Sequence, residues 1–254
     1  MGRFNTAMIE GNLIEDFRQT VDRGNQISEA LGDGTDMALH SLFKNGIFDD
    51  VPVFGLLAKA CNVISDIQVY RFCKKIYKFL FYTQNYNRKA MNSFWEEYSA
   101  ANKENGYEMM LSVLDNVDNI NKVEVMANLL KAKLDGKLTI DNFIRLTSSL
   151  QIVPYVDMRC MPDYLESIGI RHDTYMLLAA GLLYQSEIGV DGVGRENCSH
   201  YQLNDNGLLF VQYGLGIDIS TYVKSDAPIQ SLTEEEIEDS WKKAMENASN
   251  SNIY

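Results

Sequence analysis

The sequence lacks the local motifs that mark the common enzyme classes. It has no G-x-x-x-x-G-K-[ST] phosphate loop and no G-x-S-x-G elbow, so neither a nucleotide cradle nor a strained, exposed serine is encoded by spacing. Cysteine is scarce, and Cys61, Cys73, Cys160 and Cys198 contain no C-x-x-C pair, which removes the usual zinc spacing. With no secretory leader ahead of them, they are expected to be reduced and mostly buried thiols in a cytoplasm. The histidines, His40, His172 and His200, are too scattered for a local metal motif. No catalytic residue, metal or cofactor is therefore expected. Long apolar runs are missing as well: VPVFGLLAKACNVI, Val51 to Ile64, is broken by Lys59 and falls short of the ~20 apolar residues of a membrane-spanning helix. Positive charge is in deficit, and a net charge of -12 argues against a general phosphate-binding surface, because such affinity comes from Lys and Arg displacing counterions.

What is present is core material. With 46% apolar residues, the chain can bury the core of one large domain or two small ones. Met8, Leu13, Ile14 and Phe17 recur at helical spacing, and a second periodic run through Leu42 and Phe43 follows a Gly-Asp-Gly break at 32–34. Asp49 and Asp50 ahead of Pro52 make a helix start, and Ser65-Asp66 offers another cap, which predicts two helices over 51–64 and 66–83, or one with a bend. Further helices are predicted at 86–104, 106–116, 120–134 and 140–151, and within 156–183, where DTYMLLAAGLL (173–183) reads as a short apolar helix. Alternation from Tyr184 to Val190, a glycine-rich tip and a second alternating run over 199–203 then predict a β-hairpin, followed by a helix capped by Asn204 or Asp205. Near the end, Thr233 caps an acidic-then-basic segment, EEEIEDSWKKAMENA, which reads as a helix carrying Trp241. The expected fold is mainly α, a multi-helix bundle over 1–155, a hairpin-bearing module over 156–216 and a tail over 217–254.

Helix, two-stranded wing and YQLNDNGLLFVQY resemble the end of a winged-helix module. That resemblance implies DNA binding, but 173–183 offers no Lys, Arg, Asn or Gln to a base edge, and Arg171 and Arg195 are the basic residues nearby. This segment is better suited to packing or to a protein partner.

Other chemical readings meet simpler rivals. KAKLDGKLTIDN has the glycine of a calcium loop, yet puts Lys131, Lys133 and Asn142 where carboxylates belong; a turn at Asp135-Gly136 with Leu138 and Ile140 tucked inward accounts for it. His172-Asp173 has the form of a phosphohydrolase metal doublet, with His40 as an imaginable partner, but Asp173 also serves as a helix cap. GVDGVGREN lies between two strands and lacks the strand-to-helix setting of a phosphate cradle. MGRFNT fits the loose acylation pattern through Gly2 and Thr6.

The segment VYRFCKKIYKFLFY, Val69 to Tyr82, poses the sharpest question. On a helical wheel Arg71, Lys74, Lys75 and Lys78 form one stripe beside Tyr82, while Phe72, Ile76 and Phe79 face the other way. A core helix with a solvated stripe is expected, with Arg71, Lys75 and Lys78 in water; an interfacial membrane helix is the functional alternative. The four basic residues and Trp241 are the candidate interaction residues.

VPVFGLLAKACNVISDIQVYRFCKKIYKFL, then LDGKLTIDNFIRL, then YQLNDNGLLF, resemble the order of segments in bacterial proteins related to the abortive-infection alpha domain. The resemblance implies an accessory role in defence against phage and carries no site residues. The resulting expectation is a non-enzymatic interaction protein in phage defence. It would meet a protein partner, a second copy of itself or, on activation, a membrane surface. A DNA-binding regulator and a metal-dependent phosphohydrolase remain as alternatives.

Overall fold

In a computed structural model, which describes residues 6–27, 31–32, 35–45, 51–60, 67–165, 175–189 and 198–220, helices succeed one another until a single hairpin near the end. Residues up to Ile219 make one unit; a second, Ser220–Tyr254, is described only at Ser220. Helix α1 (Thr6–Arg23) ends in a 3-10 turn, Gly24–Ile27. Helix α2 is Asp36–Asn45 and α3 is Pro52–Ala60, starting at the proline that pre-sets the first turn. The Val53 N–H, unpaired within α3, donates to Thr20 Oγ1 of α1 at 3.1 Å, and that hydroxyl donates to the Asp16 carbonyl at 2.6 Å. One helix thus caps another.

Helix α4 (Ile67–Thr83) carries the disputed segment. Phe72 is 6% exposed, Ile76 0% and Phe79 1%, so the face that an interfacial helix would give to lipid is covered by protein. Tyr77 is buried too, and its hydroxyl donates to the Leu31 carbonyl. No described helix is long and apolar enough to cross a membrane.

Helices α5 (Arg88–Asn102), α6 (Gly106–Asn116), α7 (Lys122–Leu134) and α8 (Ile140–Ile152) lie within two residues of the predicted boundaries. Side-chain caps explain the agreement at three starts: Asn87 accepts from Lys89 N, Asn105 from Tyr107 N and Glu108 N, and Thr139 from Asn142 N. The stretch with the calcium-loop glycine is a turn between α7 and α8; Leu138 is buried, and Ile140 is half-buried. Lys133 pairs with Glu97 at 2.8 Å, and Lys131 lies over the Tyr82 ring at 5.9 Å. Helix α7 packs against both α4 and α8, while α5 contacts α6, α7 and α8.

After Pro154 the grammar changes. Helix α9 (Tyr155–Cys160) runs into a 3-10 turn, Met161–Leu165, and α10 spans Tyr175–Ala179. The expected helix over 173–183 is corrected here at its C-terminal end. Gly181 N–H bonds the Leu178 carbonyl at 2.9 Å and Leu182 N–H the Leu177 carbonyl at 3.0 Å, a closure that needs the left-handed φ of +70° that Gly181 adopts. The chain is then free to extend as β1 (Leu183–Gly189), antiparallel to β2 (Cys198–Leu203), with Leu183 opposite Leu203 and an irregularity between Gln185 and Ile188. Asn204 caps α11 (Asp205–Leu209) by accepting from Gly207 N at 2.9 Å, and one π turn, Phe210–Gly214, completes it. Phe210 and Val211 are fully buried, and Asn128 of α7 donates to the Gly214 carbonyl at 3.2 Å. The fold is therefore mainly α with a two-stranded antiparallel sheet.

Candidate functional site

Arg71, Lys74, Lys75 and Lys78 follow one another at helical spacing on α4, so local geometry alone sets them on one side. Tertiary packing then makes them unequal. Lys74 Nζ pairs with Asp36 of α2 at 2.5 Å. Lys75 Nζ donates to the main-chain carbonyl of Asp115 in the last turn of α6 at 2.7 Å. The expectation that Lys75 stands in water is thus corrected: the side chain is half-buried, and burial lowers its pKa, with Arg71 acting the same way and Asp115 and Asp118 opposing. Arg71 is exposed, whereas Lys78 is half-buried.

Tyr70, Arg71, Lys74 and Lys75 of α4 line one recess of about 280 Å³ with the turn residues Asp118, Asn119 and Ile120. Lys78 is not part of it. Behind the turn, the Lys122 side chain is 1% exposed, and its Nζ lies 2.6 Å from Asp118 Oδ1, off the direction of a hydrogen bond. The Asp118 carboxylate itself is 61% exposed. Three cations line the recess against one carboxylate, and a fourth cation stands behind that carboxylate. Asp36, paired with Lys74, and Asp115, beside Lys75, offset part of that charge, so the recess is a concentration of cations in a chain of net charge -12. Ammonium and guanidinium groups in that arrangement can donate charge-assisted hydrogen bonds to a carboxylate or another anion. The residues from the α6–α7 turn were missed in the sequence because they arrive some forty positions after the stripe; the Asn-rich run at 116–121 marked only a helix boundary there.

A larger cleft, about 550 Å³, opens where the end of α1 and its 3-10 turn face the connection between α4 and α5. It adjoins a recess of about 380 Å³ lined by Trp95 and Tyr107, with Asp22 and Asn92 common to both. No sequence signal pointed to either, since their lining is drawn from four helices and two turns.

The other residues singled out from sequence fall elsewhere. Trp241 and the helix predicted from Thr233, the His172-Asp173 doublet, Arg171, Arg195 and Gly2 lie outside the described residues. His40 is exposed on α2. Among the described residues no group of three or more His, Cys, Asp or Glu converges as a metal site. Cys73 is buried as expected, whereas Cys160 is partly exposed; burial, aided by Asp163 and Asp157, pushes its thiol pKa up and away from a reactive thiolate. Comparison with protein-family models, curated proteins and solved structures finds no match to the chain.

Proposed function

We propose that this chain is a non-enzymatic interaction protein and that the basic recess on α4 receives an acidic segment of a protein partner. The observation that carries this reading is the convergence of Arg71, Lys74 and Lys75 on one recess of an otherwise acidic chain. The burial of Phe72, Ile76 and Phe79 favours a protein partner over lipid, since inserting that face would require the α4 packing to open first. A setting in defence against phage follows from the segment resemblance to abortive-infection proteins alone.

The reading is tested by passing the full chain over an immobilised Glu-rich peptide at low and physiological salt, beside Arg71→Glu and a Lys74→Glu/Lys75→Glu pair. Salt-sensitive retention of the wild type and its loss in the variants is the expected result. Equal behaviour of wild type and variants refutes the recess as the contact, and retention by anionic vesicles with none by the peptide moves the reading to a membrane. The defence setting is checked separately, by plating phage on bacteria that express wild type or Arg71→Glu: protection by wild type alone is expected, and no protection by either rejects it.

A further inference from the structure

The basic recess on α4 has an apolar shoulder. Ile67, Tyr70, Arg71 and Lys74 stand at i, i+3, i+4 and i+7, so they make one ridge along the helix. Tyr70, Arg71 and Lys74 line the recess, and Ile67 continues their ridge by one turn toward the helix start. Ile67 is 74% exposed, and Met37, which follows the Asp36 that holds Lys74, is 82% exposed. These are the two most exposed large apolar residues among those described. Within the recess, Tyr70 and Ile120 are half-buried.

The cations of the recess differ in what already holds them. Lys74 has Asp36, and Lys75 has the Asp115 carbonyl. Arg71 is exposed, and no described residue hydrogen-bonds or ion-pairs with it. A carboxylate from a partner therefore meets Arg71 at least competition. One turn away on the same ridge stands Ile67, about 5–6 Å distant between Cβ atoms at this spacing. The volume of about 280 Å³ falls just short of small-molecule sites, roughly 300–1,000 Å³, and suits side chains brought by a larger partner.

Magnitudes decide what that partner must bring. An ion pair at an exposed position contributes little, because water screens it and two long side chains lose their freedom. Covering an exposed isoleucine removes apolar surface from water, which contributes more. On the footing that the recess is a protein contact, we infer that the segment it receives is acidic and apolar together. A carboxylate pairs with Arg71, and a bulky aliphatic or aromatic residue beside it covers Ile67. The charge steers and orients the segment, and the apolar contact slows its release.

The test measures binding of two labelled Glu-rich peptides to the full chain by fluorescence anisotropy. They have equal length and equal negative charge, with serine at every third or fourth position in one and leucine at those positions in the other. The leucine peptide is expected to bind at least about tenfold tighter. Ile67→Ser should bring it to the level of the serine peptide, with urea unfolding unchanged because the side chain is exposed. Arg71→Glu should weaken both peptides, and Val156→Ser, at a 66% exposed position on α9, should alter neither. Equal binding of the two peptides, or a leucine preference that survives Ile67→Ser or is lost in Val156→Ser, overturns this inference and leaves the recess as an ionic contact. Binding of neither peptide overturns the protein-contact reading and the inference with it. Binding of phosphatidylserine vesicles that depends on Ile67, with neither peptide bound, assigns the shoulder to lipid and overturns both.

Discussion

Where α5 meets α8, Phe94 and Phe143 lie edge to face at 5.2 Å and Tyr98 stacks on Phe94 at 5.3 Å; where α5 meets α6, Trp95 stacks on Tyr107 at 4.2 Å. From Tyr155 to Gly214 the chain is held differently. Val156, Tyr175 and Tyr184 are 66%, 72% and 46% exposed, and the described sheet has only two strands, too few to be stable alone. This second region is tied down at points: Asn204 Nδ2 donates to the Gly181 carbonyl at 2.8 Å, Ser149 of α8 donates to the Ala180 carbonyl at 2.8 Å, and Phe210 is buried in the common core. The first region is stabilised by interlocking aromatic surfaces; the second buries Met158, Leu177 and Leu182 in the common core, and its hairpin is fixed besides by the hydrogen bonds at Ala180 and Gly181. A substitution in the first should therefore act globally, and one at the hairpin locally.

The largest effect is expected from Phe143→Ala, which removes a fully buried ring touching both Phe94 and Tyr98. A loss of about 3–5 kcal/mol in urea unfolding is expected, with hydrogen-exchange protection falling in both regions together. Protection kept in either region would show that the two do not share a core. Next comes Gly207→Ala. A Cβ there would sit 2.2 Å from the Leu182 carbonyl oxygen and 2.8 Å from Leu203 Cδ2, so α11 must move off the hairpin. We expect about 1–3 kcal/mol, with exchange accelerated in β1, β2 and α11 and unchanged in α5 and α8. Uniform acceleration would break the contrast between the regions.

The smallest effect at neutral pH, and the one that sharpens the contrast, is alkaline. Burial pushes Tyr98 and Tyr107 up to about 12 from an ordinary 10. The folded chain therefore keeps protons that the unfolded chain gives up, so their contribution is complete below pH 10 and is lost as pH rises from 10 through about 12. The melting temperature should fall across that window. Tyr98→Phe should flatten the fall, and an unchanged profile would refute the assignment to the aromatic cluster.

Helix positions from 67 to 152 were legible in the sequence because caps and apolar periodicity are local signals. Asn105, Thr139 and Gly136 act within a few residues of where they stand. The length of the helix before the hairpin was not legible, because DTYMLLAAGLL is apolar throughout and the stop depends on Gly181 meeting carbonyls from the preceding turn. The basic stripe was readable as a stripe, but not as a site. Its unequal partners, Asp36 for Lys74 and the Asp115 carbonyl for Lys75, come from distant helices.

The sequence by itself determined that this chain is mainly helical, that its hairpin follows the bundle, and that α4 carries its cations on one side. Those features follow from periodicities of 3.6 and 2 and from capping groups a few residues away. Only the tertiary structure decided that Phe72, Ile76 and Phe79 belong to the core and that three cations share a recess with the turn at 118–120. It alone decided, too, that a cleft of about 550 Å³ lies at the α4–α5 connection, away from the stripe. Burial and charge pairing depend on what lies opposite in space, and no spacing along one chain records that.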